Sequence, residues 1–218
     1  MPEKLTIKTE ALEPLFAAWE EPDKHRVGAD SGEGAVERKG RRPTRIAIAQ
    51  NLREMVKEWR DNFYFGASDT SRQLLNHWFA RTHAIGANGS SQEFRYYFCQ
   101  REAIETLIYL KEFRKLECLS QLIAEYGGAY AETTALGVTE EEDAWSRYAF
   151  KMATGSGKTK VMSLAIVWSY FHALRESDSP MARHFIVIAP NLTVFVQVSV
   201  LASVSPCLLH FRPLTIAE

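Results

Sequence analysis

The chain has 218 residues, an apolar fraction of 46% and a formal net charge of −1. This excludes wholesale disorder and a globally cationic nucleic-acid binder, so any contact with a polyanion must come from a local patch. Three cysteines without zinc-like spacing read as inert thiols in a reducing compartment, and the polar, acidic amino terminus carries no basic-then-apolar leader; the expectation is a cytoplasmic protein.

Residues 1–20 hold a weak amphipathic pattern in which Leu12, Leu15, Phe16 and Trp19 share a helical face. Between Glu20 and Gly40 charged and small residues without apolar periodicity read as a flexible connector. It ends in ERKGRRPTR, where Arg38, Lys39, Arg41, Arg42 and Arg45 concentrate positive charge. Such a cluster suits DNA phosphates, although a solvated linker is the more common reason for one. From Thr44, helical spacing of Ile48, Leu52, Met55, Val56 and Trp59 predicts an amphipathic helix. Asp69, Thr70 and Ser71 offer cap oxygens to a second, with Leu74, Leu75, Trp78 and Phe79 as its apolar stripe; tryptophans at this spacing read as core. A small polar turn, Gly86 to Ser91, closes the helical region.

An aromatic run then gives way at Gln100 to a helix with Ile104, Leu107 and Ile108 inward. A glutamine amide gives and takes one hydrogen bond each, which matches the adenine edge, and Phe98 beside it suits a purine face. Residues 117–146 predict a less regular helical stretch followed by an acidic surface insertion at Glu140 to Asp143.

The chemistry is concentrated in RYAFKMATGSGKT, Arg147 to Thr159. Arg147 to Met152 reads as a strand, Thr154-Gly155-Ser156-Gly157 as a tight turn, and Lys158 to Leu174, free of Gly and Pro, as a helix packed on a sheet. Strand, glycine turn and helix start form a phosphate cradle: converging N–H groups meet phosphate oxygens, Lys158 reaches the β- and γ-phosphates, and the Thr159 hydroxyl ligates Mg²⁺. The general pattern G-x-x-x-x-G-K-[ST] is met except at its first glycine, where Met152 stands. His184 to Ala189 reads as a second strand, which completes a βαβ unit with the loop at the carboxyl end of the first strand. From Phe185 to Phe211 there is no Asp, Glu, Lys or Arg, yet Pro206, Gln197 and several serines argue against a membrane span.

These motifs resemble the ATPase and helicase subunit of type III restriction enzymes, within superfamily 2 of DNA helicases. FKMATGSGKT is similar to that family's motif I, where Met152 is usual; CQREAIE resembles its adenine-recognising glutamine motif, and IVIAPN its motif Ia. The upstream helical block is also similar, so the resemblance covers residues 44–195. It implies an α/β fold with a partial RecA-like P-loop domain, a parallel sheet with flanking helices, behind a mainly helical region. The expected order is a flexible segment 1–43, helical region 44–92, incomplete RecA-like domain 93–195 and atypical charge-poor tail 196–218, the tail reading as truncated or out of frame.

By position, the resemblance implies that Gln100 reads adenine, that Thr154, Gly155, Ser156, Gly157, Lys158 and Thr159 hold ATP and Mg²⁺ with Lys158 and Thr159 catalytic, and that Pro190 and Asn191 contact DNA. It implies double-stranded DNA and a modification (methyltransferase) subunit as partners. The only acidic residue after Asn191 is Glu218, so no Asp-Glu motif or second lobe follows, and the expectation is ATP binding without hydrolysis by this chain alone. The alternative is a nucleotide-dependent regulatory protein that associates with an intact motor subunit.

Overall fold

A computed structural model describes residues 17–27, 36–44, 46–85, 92–130 and 137–188. In chain order these form β1 (Lys24–Val27), β2 (Val36–Lys39), α1 (Ala47–Asp61), α2 (Asp69–Phe79), β3 (His83–Ile85), β4 (Gln92–Phe94), α3 (Phe98–Ile108), α4 (Leu119–Tyr126), α5 (Glu140–Asp143) and α6 (Lys158–Arg175). Each strand pair is a two-stranded antiparallel hairpin, β1 with β2 and β3 with β4.

The helices form where the apolar stripes demand it. Val56 and Trp59 of α1, Leu75 and Trp78 of α2, Ile104, Leu107 and Ile108 of α3, and Val161, Leu164 and Trp168 of α6 close into one core. The tryptophans expected in the core are there: Trp59 is stacked on Phe113 and edge-on to Tyr64 and Tyr109. Helix α6 packs on α3 and α2, so the helix that opens at Lys158 shares its core with the amino-terminal helices. The cap of α2 is supplied by Ser68, whose hydroxyl accepts from Ser71 N–H at 3.1 Å, one residue ahead of the three that the sequence offered.

Beyond Ile108 the chain runs through one wider turn, Tyr109–Phe113, with i→i+5 geometry. That turn delivers Glu112 to the start of α2, where its carboxylate accepts from Ser68 N–H and Ser71 Oγ. Ser71 in turn accepts from Trp168 Nε1 at 2.8 Å, tying α6 to α2 through buried polar atoms.

A second polar knot lies inside the core. Glu105 is fully buried and accepts from Arg60 Nη2 at 2.6 Å, Arg101 Nε at 2.7 Å and Tyr64 Oη at 2.7 Å. Burial, then the adjacent Glu105 charge, push the Tyr64 phenol well above its ordinary value. These bonds also hold Tyr64 in the left-handed region at φ 57°, a conformation that bulky residues rarely adopt.

Three expectations change. The connector between Glu20 and Gly40 carries a hairpin, because β1 and β2 pair in register from Lys24↔Lys39 to Val27↔Val36. Of the segments 147–152 and 184–189, expected as parallel strands, 147–152 and 184–188 carry no strand, Ala189 lies outside the described residues, and among those residues no parallel sheet is formed. Instead Tyr148 Oη bonds to Leu116 O at 3.3 Å, Ser146 Oγ bonds to Glu117 O, and Ile186 and Ile188 are exposed. A β-rich run reports side chains that suit a pleated surface; a ladder also needs a neighbouring strand, and neither segment has one among the described residues. Arg45, the turn Gly86 to Ser91, Pro190 and Asn191 lie outside those residues. Among them, no helix is long and apolar enough to cross a membrane.

Removing the carboxylate at the centre of the buried knot leaves Arg101 without an acidic partner among the described residues and Arg60 with only the more distant Glu21, at 3.5 Å. Glu105→Ala is expected to cost about 3–5 kcal/mol in urea-induced unfolding. A loss below about 1 kcal/mol would show that the knot contributes nothing to the core.

Candidate functional site

The turn ahead of α6 is shaped by its two glycines. Gly155 and Gly157 take φ of +80° and +79°, a region closed to most side-chain-bearing residues. Ser156 folds the turn back, its N–H and Oγ both reaching Ala153 O, at 3.3 and 2.7 Å. Gly157 caps α6, its carbonyl accepting from Lys160 and Val161 at 2.9 and 3.2 Å. What remains is a row of donors. Among the described residues no acceptor takes the backbone N–H of Gly155, Gly157, Lys158 or Thr159. They stand at the positive end of an 18-residue helix, where anions are favoured.

Lys158 is exposed and folds back over the same turn, its Nζ donating to Ala153 O at 3.0 Å and Met152 O at 3.3 Å. Both acceptors are neutral carbonyls, so an anionic oxygen in the turn would compete well for the ammonium. Thr159 is half-buried; its carbonyl accepts from Ser163 Oγ at 3.0 Å, and its own hydroxyl has no protein partner among the described residues. No carboxylate is hydrogen-bonded or ion-paired to residues 152–159 there, and no group of three His, Cys, Asp or Glu is placed to hold a metal ion.

The sequence-distant partner is Gln100. It sits in the first turn of α3, buried, its Oε1 accepting from Tyr97 N–H at 3.1 Å and its Nε2 donating to Ser156 O at 2.9 Å. A Cβ at Gly157 would collide with Nε2, so the glycine is needed both for its backbone angle and for the approach of this amide. Each amide function thus has one protein partner and keeps one further valence: a lone pair on oxygen and a hydrogen on nitrogen.

Phe98 differs from its expected place. It is buried with the Arg41 and Arg60 guanidinium groups 5.3 and 5.1 Å from its ring centroid, so its face is taken by cations instead of being open to a purine. Beside the loop stands Lys160, its ammonium 5.7 Å from the Phe94 ring of β4, a neighbour that nothing in the spacing announced. The Ser156–Gln100 bond was equally unannounced, since residues 56 apart carry no mutual periodicity. Two clefts, of about 230 and 180 Å³, lie away from the loop, one around Leu119 and Trp145, the other around Trp19 and Arg95. An anion gripped by backbone donors at a surface turn needs no enclosed cavity, so the position of these clefts does not count against the loop.

A family model described as the type III restriction enzyme, res subunit, matches residues 92–204, more than half of the chain and a stretch that runs from β4 through α3, the loop and α6. No curated protein and no solved structure matches it.

The two glycines separate strain from collision. Gly155 has open space around its Cβ position, so Gly155→Ala is expected to cost about 1–2 kcal/mol, the ordinary penalty of the left-handed backbone. Gly157→Ala adds the collision with Gln100 and is expected to cost distinctly more in the same chemical denaturation series. Equal costs would mean that Gln100 does not press on the loop.

Proposed function

The chain belongs to the family of type III restriction enzyme res subunits, and on that premise we propose that it binds ATP with Mg²⁺ through residues 154–159 as the nucleotide-holding part of a DNA motor of a restriction system. At the family level this is a helicase-like, ATP-dependent function. The observation that carries the finer reading is the row of unclaimed N–H groups at Gly155, Gly157, Lys158 and Thr159, set between two left-handed glycines. A polyanion is the ligand such a row selects.

The roles follow from the atoms. The loop amides hold phosphate oxygens, and Lys158 exchanges its two carbonyl acceptors for them. The Thr159 hydroxyl is the protein's ligand to Mg²⁺, whose charge offsets that of the triphosphate. Gln100, anchored to Ser156 and Tyr97, offers its remaining lone pair and N–H to the amino group and ring nitrogen of adenine. Lys158 and Thr159 are the residues through which hydrolysis would be assisted. Activation of water needs a carboxylate that the described residues do not place at the loop, so binding is the activity proposed for this chain. Movement along duplex DNA, contact of Pro190 and Asn191 with that DNA, and association with a methyltransferase subunit are proposals that follow from the family.

The unaltered chain is expected to show a Mg-ATP-dependent rise in melting temperature and Lys158→Ala to remove it; a shift that survives the substitution would take Lys158 out of the site. Gln100→Ala is expected to narrow the preference for ATP over GTP while triphosphate affinity falls only a few-fold. Equal loss for both nucleotides in a competition titration would make Gln100 a structural clamp alone.

A further inference from the structure

The hairpin of β1 and β2 is rich in basic residues, with Lys24, Arg26, Arg38 and Lys39 against a single acid, Glu37. Its register places Lys24 opposite Lys39, a like-charge pair that costs stability in an antiparallel ladder, with His25 opposite Arg38, Arg26 opposite the oppositely charged Glu37, and Val27 opposite Val36. All of Val36–Lys39 is exposed. Lys24 has an ion pair to Glu37, but at 4.0 Å with both side chains 53% exposed it contributes little. Arg38, Lys39 and the following Arg42 have no acidic partner among the described residues.

A two-stranded hairpin is marginal even with favourable pairs, so something other than its ladder must hold this one. Its root does. His25 Nδ1 donates to Gly40 O at 2.7 Å, Gly40 N–H returns to Asp23 O, and Arg41 makes a bidentate pair with Glu102 of α3, one arm at 2.9 Å. The Glu102 carboxylate holds the Arg41 guanidinium above its ordinary value. The hairpin is therefore fixed to the helix that begins beside Gln100, and its free cations project from a clamped base.

Alternation along the strands puts Lys24 and Lys39 on one face and His25 and Arg38 on the other. Cations on both faces of a ribbon are poorly used on a flat anionic surface, which meets one face only. They are well used between two walls of phosphate, and the major groove of duplex DNA is wide enough for a two-stranded ribbon. No aromatic residue lies in 24–27 or 36–42 apart from the His25 imidazole, which the Gly40 carbonyl engages, so the hairpin lacks the stacking surfaces with which single strands are held. We propose that β1–β2 with Arg42 is a sequence-independent contact to the phosphate backbone of duplex DNA. The choice of DNA among polyanions rests on the motor reading above.

The test is fluorescence anisotropy of a labelled duplex of arbitrary sequence with the full chain, across a salt series. Arg38→Ala/Lys39→Ala/Arg42→Ala is expected to lower the slope of log affinity against log salt by about 2–3, near 0.9 for each phosphate no longer neutralised, and by the same amount on unrelated duplexes. Mg-ATP binding, which these residues do not touch, should be unchanged and serves as the folding control. An unchanged slope would overturn the hairpin as the contact surface while leaving the motor reading intact. Failure of the unaltered chain to bind duplex at low salt would overturn it as well, with the nucleotide titration left to judge the motor reading separately. Equal or tighter binding to polyglutamate or to anionic vesicles, abolished in the same variant, would overturn the assignment to DNA.

Discussion

The bond from Gln100 Nε2 to Ser156 O joins the two halves of the candidate site, and the loop's shape depends on it. Two left-handed glycines leave a short turn with many accessible backbone arrangements. One buried amide pressed against Gly157 and bonded to the neighbouring carbonyl removes most of them. The donor row is then presented already formed, so less ordering entropy opposes the arrival of an anion. Gln100 can do this only if α3 is itself immobile, and two clamps hold it. Glu105, one turn further along, binds Arg60 and Tyr64 from α1 and the turn after it, and Glu102 binds Arg41 ahead of α1.

The same logic explains why the amino-terminal helices and the loop share a core. Trp168 of α6 donates to Ser71 of α2, and Glu112 in the wide turn after α3 also bonds to Ser71. Glu176, just beyond α6, accepts from Thr70 N–H at 3.0 Å, and its hydrogen bonds with Thr70 hold its carboxyl below the usual range. The helix that would feel a bound triphosphate at one end is thus tied at the other to the start of α2. A displacement of α6 along its axis would have to break bonds between buried polar atoms whose separate exposure is costly.

Much of this was legible in the sequence, and the rest was not, for physical reasons. Helical periodicity located α1, α2, α3 and α6 and their buried tryptophans, because a 3.6-residue stripe is a statement about one segment alone. The glycine turn was equally local: Gly155 and Gly157 stand where a left-handed backbone is required. Contacts between distant segments left no such trace. Gln100 was singled out for its amide, yet its engagement with Ser156 depends on how α3 and α6 cross. Phe98 was expected open and is covered by Arg41 and Arg60, which approach from residues on another element. The β1–β2 hairpin was hidden by its composition, since its mostly charged residues are of the kinds depleted in strands. The runs at 147–152 and 184–188 read as strands because their side chains suit one; the described residues give them no ladder partner.

If the loop and the first turn of α3 act as one preformed anion seat, the two must respond to nucleotide together. Amide hydrogen exchange with and without Mg-ATP reads both at once. Slower exchange is expected at Gly155, Gly157, Lys158 and Thr159, whose N–H groups gain acceptors, with a concerted slowing at Tyr97, whose N–H already rests on Gln100. Protection of the loop with no change at Tyr97 would contradict the coupling, and no protection of the loop at saturating nucleotide would contradict the site itself.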